Sequence, residues 1–92
     1  MHAIAALTVA LAAFAVTLDA HATGLATCES GPPSGWQSED SLRKQLTDRG
    51  WQIRRVKIDG GCYEVYALDD KGARVESYFH PVTLQHVLTT KR

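Results

Sequence analysis

Fifteen residues near the start of the chain, 4–18, read IAALTVALAAFAVTL without a charged side chain, and they decide how much polypeptide is left to fold. The run is shorter than the ~20 apolar residues that a bilayer-spanning helix needs. Ala20 and Ala22 put small side chains at the two positions a signal peptidase reads, so residues 1–22 are expected to form a signal peptide cleaved before Thr23. Positive charge ahead of the run comes only from the initiator amine and His2. An uncleaved anchor is one alternative. Lipidation is another, because Leu25-Ala26-Thr27-Cys28 has the outline of a lipobox; Thr27 is bulky for that role, and Asp19 and His21 separate the cysteine from the apolar run. The expected product is periplasmic or secreted, with no stable transmembrane segment. About 70 residues remain, near the lower size at which one hydrophobic core sustains a domain.

A chain that small benefits from a covalent staple. Cys28 and Cys62 are its two cysteines, and in an oxidising compartment an isolated pair most simply forms one disulfide. The bond would close a loop of about 35 residues, worth roughly 4 kcal/mol through the entropy it removes from the unfolded chain. Their spacing is neither a CxxC knuckle nor accompanied by clustered histidines, which argues against a two-cysteine metal site.

The ten Lys and Arg residues balance ten Asp and Glu, and loss of Asp19 with the leader leaves a formal charge of +1. Arg43, Lys44, Arg49, Arg54, Arg55 and Lys57 form a locally basic run. Glu39, Asp40, Asp48, Asp59 and Glu64 are threaded through it and break any continuous electrostatic footprint, so nucleic acid is not an expected partner.

Residues 23–37 contain Pro32-Pro33 and read as an irregular N-terminal tether. Trp36 is expected to fold back onto the domain, with ligand stacking as the alternative role. Residues 38–92 read as a single domain. Ser38 suits a helix N-cap, with Glu39 and Asp40 beside the positive end of the helix dipole. Leu42 and Leu46 share a face, Glu39/Arg43 and Asp40/Lys44 stand at pairing distance, and Gly50 suits the stop. Two leucines cannot hold such a helix alone, so it should lie across a sheet.

The remainder alternates with a period of two. Trp51 and Ile53 share one parity and Val56 and Ile58 the other, a conflict that a β-bulge at Arg54-Arg55 would resolve. Gly60-Gly61 suits a two-residue hairpin turn that pairs Ile58 with Tyr63, Val56 with Val65 and Lys57 with Glu64, giving one apolar and one charge-compensated face. Asp69-Asp70-Lys71-Gly72 reads as the next turn, followed by a strand through Arg74, Val75, Glu76, Ser77, Tyr78 and Phe79 that Pro81 stops. Leu84, Val87 and Leu88 suit a short terminal segment or further edge strand, with Lys91-Arg92 solvated. The fold class is therefore α+β: one amphipathic helix packed on a curved antiparallel sheet of three or four strands.

Residues 38–67 read SEDSLRKQLTDRGWQIRRVKIDGGCYEVYA and residues 69–79 read DDKGARVESYF, and together with the His80-Pro81-Val82-Thr83 turn they resemble small periplasmic PepSY-type domains, the peptidase propeptide and YPEB-like family. The resemblance implies a helix covering an antiparallel sheet, and roles in restraining proteases, in extracytoplasmic sensing or in protein binding. Where that family more usually has D-P-x-T-G-E, this chain has His80-Pro81-Val82-Thr83-Leu84-Gln85. Loss of the turn glycine leaves the following register open, and His80 removes the acid that would orient the turn.

Nothing in the sequence brings a nucleophile, a base and an electrophilic group together. His80 and His86 are separated by Pro81 and four further residues, and pairing of Cys28 with Cys62 would remove both thiols from chemistry. The expected function is a non-catalytic protein-binding or regulatory domain, a protease inhibitor or modulator, without cofactor, whose partner is an envelope protein or protease. Arg54, Arg55 and Tyr66 are the candidate contacts, with Arg55 and Tyr66 as cross-strand neighbours; the plainer alternative is that Arg55 only covers Tyr66. An accessory envelope structural or signalling protein is the second reading, and a metal-binding protein or enzyme the third.

Overall fold

Ser38 caps the helix as its side chain suggests: the Ser41 N–H donates to Ser38 Oγ at 3.1 Å in the computed structural model, which describes residues 24–92. The expected signal peptide and its cleavage site lie outside the described residues. Helix α1 (Glu39–Asp48) buries Leu42 and Leu46 completely. It ends in a Schellman motif: Gly50, at φ 89°, donates to Thr47 O, and Trp51 donates to Leu46 O. Glu39 and Arg43 pair at 3.0 Å, as expected. The expected Asp40/Lys44 pair is replaced by Lys44–Asp48 at 2.9 Å. Lys44 has an acid one turn to either side, and Asp40 stays at the positive end of the helix dipole.

Four strands follow, β1 (Gln52–Asp59), β2 (Cys62–Leu68), β3 (Arg74–Phe79) and β4 (His86–Lys91), in one open antiparallel sheet of order β1-β2-β3-β4. Ile53 pairs with Ala67 and Arg55 with Tyr66, which leaves Arg54 as the bulged residue that the parity conflict demands. Beyond it the register pairs Val56 with Val65, Lys57 with Glu64 and Ile58 with Tyr63. Gly60 and Gly61 turn the hairpin at φ 58° and 76°, both left-handed, the combination that matches strand twist.

The core lies between α1 and one face of the sheet, where Leu42, Leu46, Tyr63, Val65, Ala67, Val75, Phe79 and Leu84 cluster. Trp36 folds back as expected, edge-on to Tyr63 at 5.7 Å between ring centres, with Nε1 donating to Ser30 O. The terminal segment is a full fourth strand, and Arg92 is not simply solvated. Its N–H donates to Arg74 O at 2.9 Å and its guanidinium pairs with Glu76 at 3.3 Å.

In the β3–β4 turn, Leu84 holds the position of the missing glycine at φ 61°. His80 supplies the acceptor that its lack of a carboxylate was expected to remove. Val82 N–H donates to His80 Nδ1 at 3.2 Å, which leaves the ring proton on Nε2, 3.2 Å from Glu29 O. The β4 register shifts once, between Tyr78 and Phe79, pairing Tyr78 with Leu88 and Phe79 with His86.

Candidate functional site

The sheet face away from α1 carries the charges expected there, but two of them are inside the protein. Glu64 and Glu76 are 0% and 1% exposed. Strand register explains their surroundings: Glu64 lies opposite Tyr78 and Tyr66 opposite Glu76, so acids and phenols alternate in both directions across β2 and β3. A buried carboxylate needs a compensating charge. Lys57 Nζ lies 3.4 Å from Glu64 Oε1, and Arg92 Nε 3.3 Å from Glu76 Oε1. Both cations also lie near the Tyr66 ring, Lys57 Nζ 5.5 Å and Arg92 Cζ 5.3 Å from its centroid. The cations that cover Tyr66 are thus Lys57 and Arg92, rather than Arg55 alone.

Burial, reinforced by neighbouring Glu64, pushes the Tyr66 and Tyr78 phenols well above their ordinary range and keeps them neutral. Tyr78 donates to Asp59 Oδ2 at 2.8 Å, and the Gly24 N–H donates to the same oxygen at 2.7 Å. These two hydrogen bonds, the backbone one first, hold the Asp59 carboxyl below its usual value.

The N-terminal segment closes one end of this face. Cys28 and Cys62 form the expected disulfide, with 5.1 Å between Cα atoms, and pack with Tyr78, Ala26 and Leu88. The Cys28 N–H donates to Gly60 O at 2.8 Å. A Cβ on Gly60 would stand 2.4 Å from Ala26 O, and one on Gly61 2.5 Å from Cys28 O, so both glycines admit the crossing segment as well as turning the hairpin.

At the other end the face is open. A cleft of about 280 Å³ is lined by Arg54, Tyr66, Ala67, Leu68, Arg74 and Arg92. The bulge aims Arg54 into it. Of the three contacts expected from sequence, Arg54 and Tyr66 meet in the cleft, while Arg55 is exposed beside it, opposite Tyr66. Tyr66 is 4% exposed and contributes a wall rather than a projecting surface. Arg74 and Arg92 were missed. Arg74 follows a turn opposite Leu68, a pairing that the hairpin pattern implies; Arg92 depends on the β4 register, which no local sequence signal sets.

Among the described residues, no group of three His, Cys, Asp or Glu side chains is arranged to hold a metal ion. His80 bonds within its turn, and His86 contacts Thr89 Oγ1 and stands edge-on to Phe79. No described helix is long and apolar enough to cross a membrane.

The family model described as peptidase propeptide and YPEB domain matches residues 2–90 of the chain. No curated protein and no solved structure matches it significantly.

Proposed function

The chain belongs to the peptidase propeptide and YPEB domain family, and from that premise we propose that it is a non-catalytic, extracytoplasmic protein-binding domain that restrains or modulates a protease. Export through the signal peptide at residues 1–22 delivers it to the periplasm or the exterior, and the Cys28–Cys62 disulfide supports an oxidising destination. It needs no cofactor for this role.

One observation carries the reading: the β1 bulge sets Arg54 and Arg55 side by side at the surface against Tyr66, whose ring is already held by Lys57 and Arg92. Planar guanidinium groups next to a rigid aromatic ring combine directional hydrogen bonds with contact area, the chemistry enriched where proteins dock.

The test uses the oxidised, exported protein as bait for envelope proteins, then measures the affinity of a captured protease for the wild type and for Arg54→Ala/Arg55→Ala. Both arginines are exposed, so the variant keeps its fold. A loss of at least ~tenfold, about 1.4 kcal/mol, together with slowed proteolysis by the wild type, is the expected result. Binding without slowed proteolysis would reject inhibition and favour an accessory role in the envelope. Unchanged affinity would remove this face from the interaction.

A further inference from the structure

We infer that the cleft between Arg54, Arg74 and Arg92 is a docking site for an acidic peptide segment, one or two carboxylate side chains of a protein partner with an apolar neighbour. This deepens the protein-binding reading and rests on it. The three arginines come from distant parts of the chain: the β1 bulge, the first residue of β3, and the residue after β4. Folding nonetheless brings them to the rim of one cleft.

Gathering three cations is unfavourable unless acids answer them. Glu76, paired with Arg92, is the carboxylate that answers at this rim. Among the described residues, the side chains of Arg54 and Arg74 have no ion pair or hydrogen bond. The two guanidinium groups therefore keep their donor forks for a ligand. Arg92 is in place beforehand, held by Glu76 and stacked near Tyr66, so less ordering accompanies binding there.

The shape selects the ligand class. About 280 Å³ lies just under the ~300–1,000 Å³ of enclosed small-molecule sites, and the cleft is open, so it suits side chains of a larger partner. Its lining sets guanidinium groups beside Tyr66, Ala67 and Leu68, which matches a carboxylate flanked by an apolar residue. Guanidinium forks match carboxylates bidentately. With ten basic against ten acidic residues overall, the attraction is local to this cleft and not a general affinity for polyanions.

The probe is a labelled six-residue peptide of alternating glutamate and leucine, titrated into the oxidised protein and followed by fluorescence anisotropy. Saturable binding is expected, weakened at least ~tenfold in Arg54→Ala/Arg74→Ala and with a glutamine-for-glutamate peptide, and unaltered in Arg49→Ala, a helix-end control outside the cleft. Thermal melts of the variants confirm the fold. Equal binding of the glutamine peptide, or no effect of Arg54→Ala/Arg74→Ala, overturns the assignment. Inorganic phosphate displacing the peptide at concentrations as low as the peptide's own would also overturn it, in favour of phosphate groups. A captured protein partner held equally well by Arg54→Ala/Arg74→Ala would sink the cleft while leaving the protein-binding reading intact. Peptide binding by the cleft, with capture weakened by Arg54→Ala/Arg74→Ala but unchanged by Arg55→Ala alone, would instead support the cleft and count against Arg55 as a contact.

Discussion

Leu84 holds a backbone angle, φ 61°, at which a Cβ crowds the following carbonyl, and it does so with a side chain that is only 5% exposed. The two facts belong together. The left-handed conformation costs about 1–2 kcal/mol for a residue other than glycine, whereas burying a leucine contributes roughly 1.5–3 kcal/mol. Here the side chain joins Leu42, Leu46 and Phe79 in the core, so burial sustains the turn. Truncation should reveal both terms. Leu84→Ala keeps the strain and loses the packing, with an expected loss of about 2–5 kcal/mol. Leu84→Gly loses the same packing but relaxes the backbone, and should be more stable than Leu84→Ala by about 1 kcal/mol, reversing their order at an ordinary position. Urea unfolding of the two variants decides it; glycine falling at or below alanine would show that the turn is unstrained.

Two pieces of structure share the first hairpin's turn, the β1–β2 connection and the N-terminal segment that crosses it. Gly60→Ala would add strain at φ 58° and drive a Cβ into Ala26 O. The expected loss is about 2 kcal/mol or more. In a Cys28→Ala/Cys62→Ala background the crossing segment has lost its bond, so the same substitution should cost only the turn strain, about 1 kcal/mol. A double-mutant cycle with no coupling would mean that the segment does not need the glycine. Local chemistry made most elements legible: the Ser38 cap, the Gly50 stop, the bulge at Arg54 and the Gly60-Gly61 register all follow from residues within a few positions of one another. Part of the cleft was legible for the same reason, since Arg54 and Tyr66 lie on one hairpin. The rest depended on non-local pairing. Arg92 reaches Glu76 only because β4 completes the sheet, and whether Glu64 on the charged face would be buried depended on neighbours from three strands.

For the molecule as a whole, the titrating groups of the second face bracket the pH range of stability. The folded state lowers the Asp59 pKa through the Gly24 and Tyr78 hydrogen bonds, so its contribution is present above the unfolded value near 3.8 and lost as pH falls through the folded one. Tyr66 and Tyr78 shift the other way. Their neutral forms are favoured in the fold, so their contribution is full below the unfolded value of 10.0 and declines as pH rises beyond it. Urea midpoints measured against pH should fall at both ends, and Asp59→Asn should shallow the acid limb and also weaken the Tyr78 part of the alkaline limb, leaving the Tyr66 part in place. An unaltered acid limb would assign acid sensitivity to other groups. The bond between Cys28 and Cys62 also has a mechanical meaning. A pull applied between Gly24 and Arg92 would cross the sulfurs into β2 and leave through β3 and β4. Helix α1 and strand β1 lie on the slack side of that covalent shortcut, shielded from extension. The load would reach a central strand first, and its resistance would be that of the β2–β3 and β3–β4 pairings rather than of the helix.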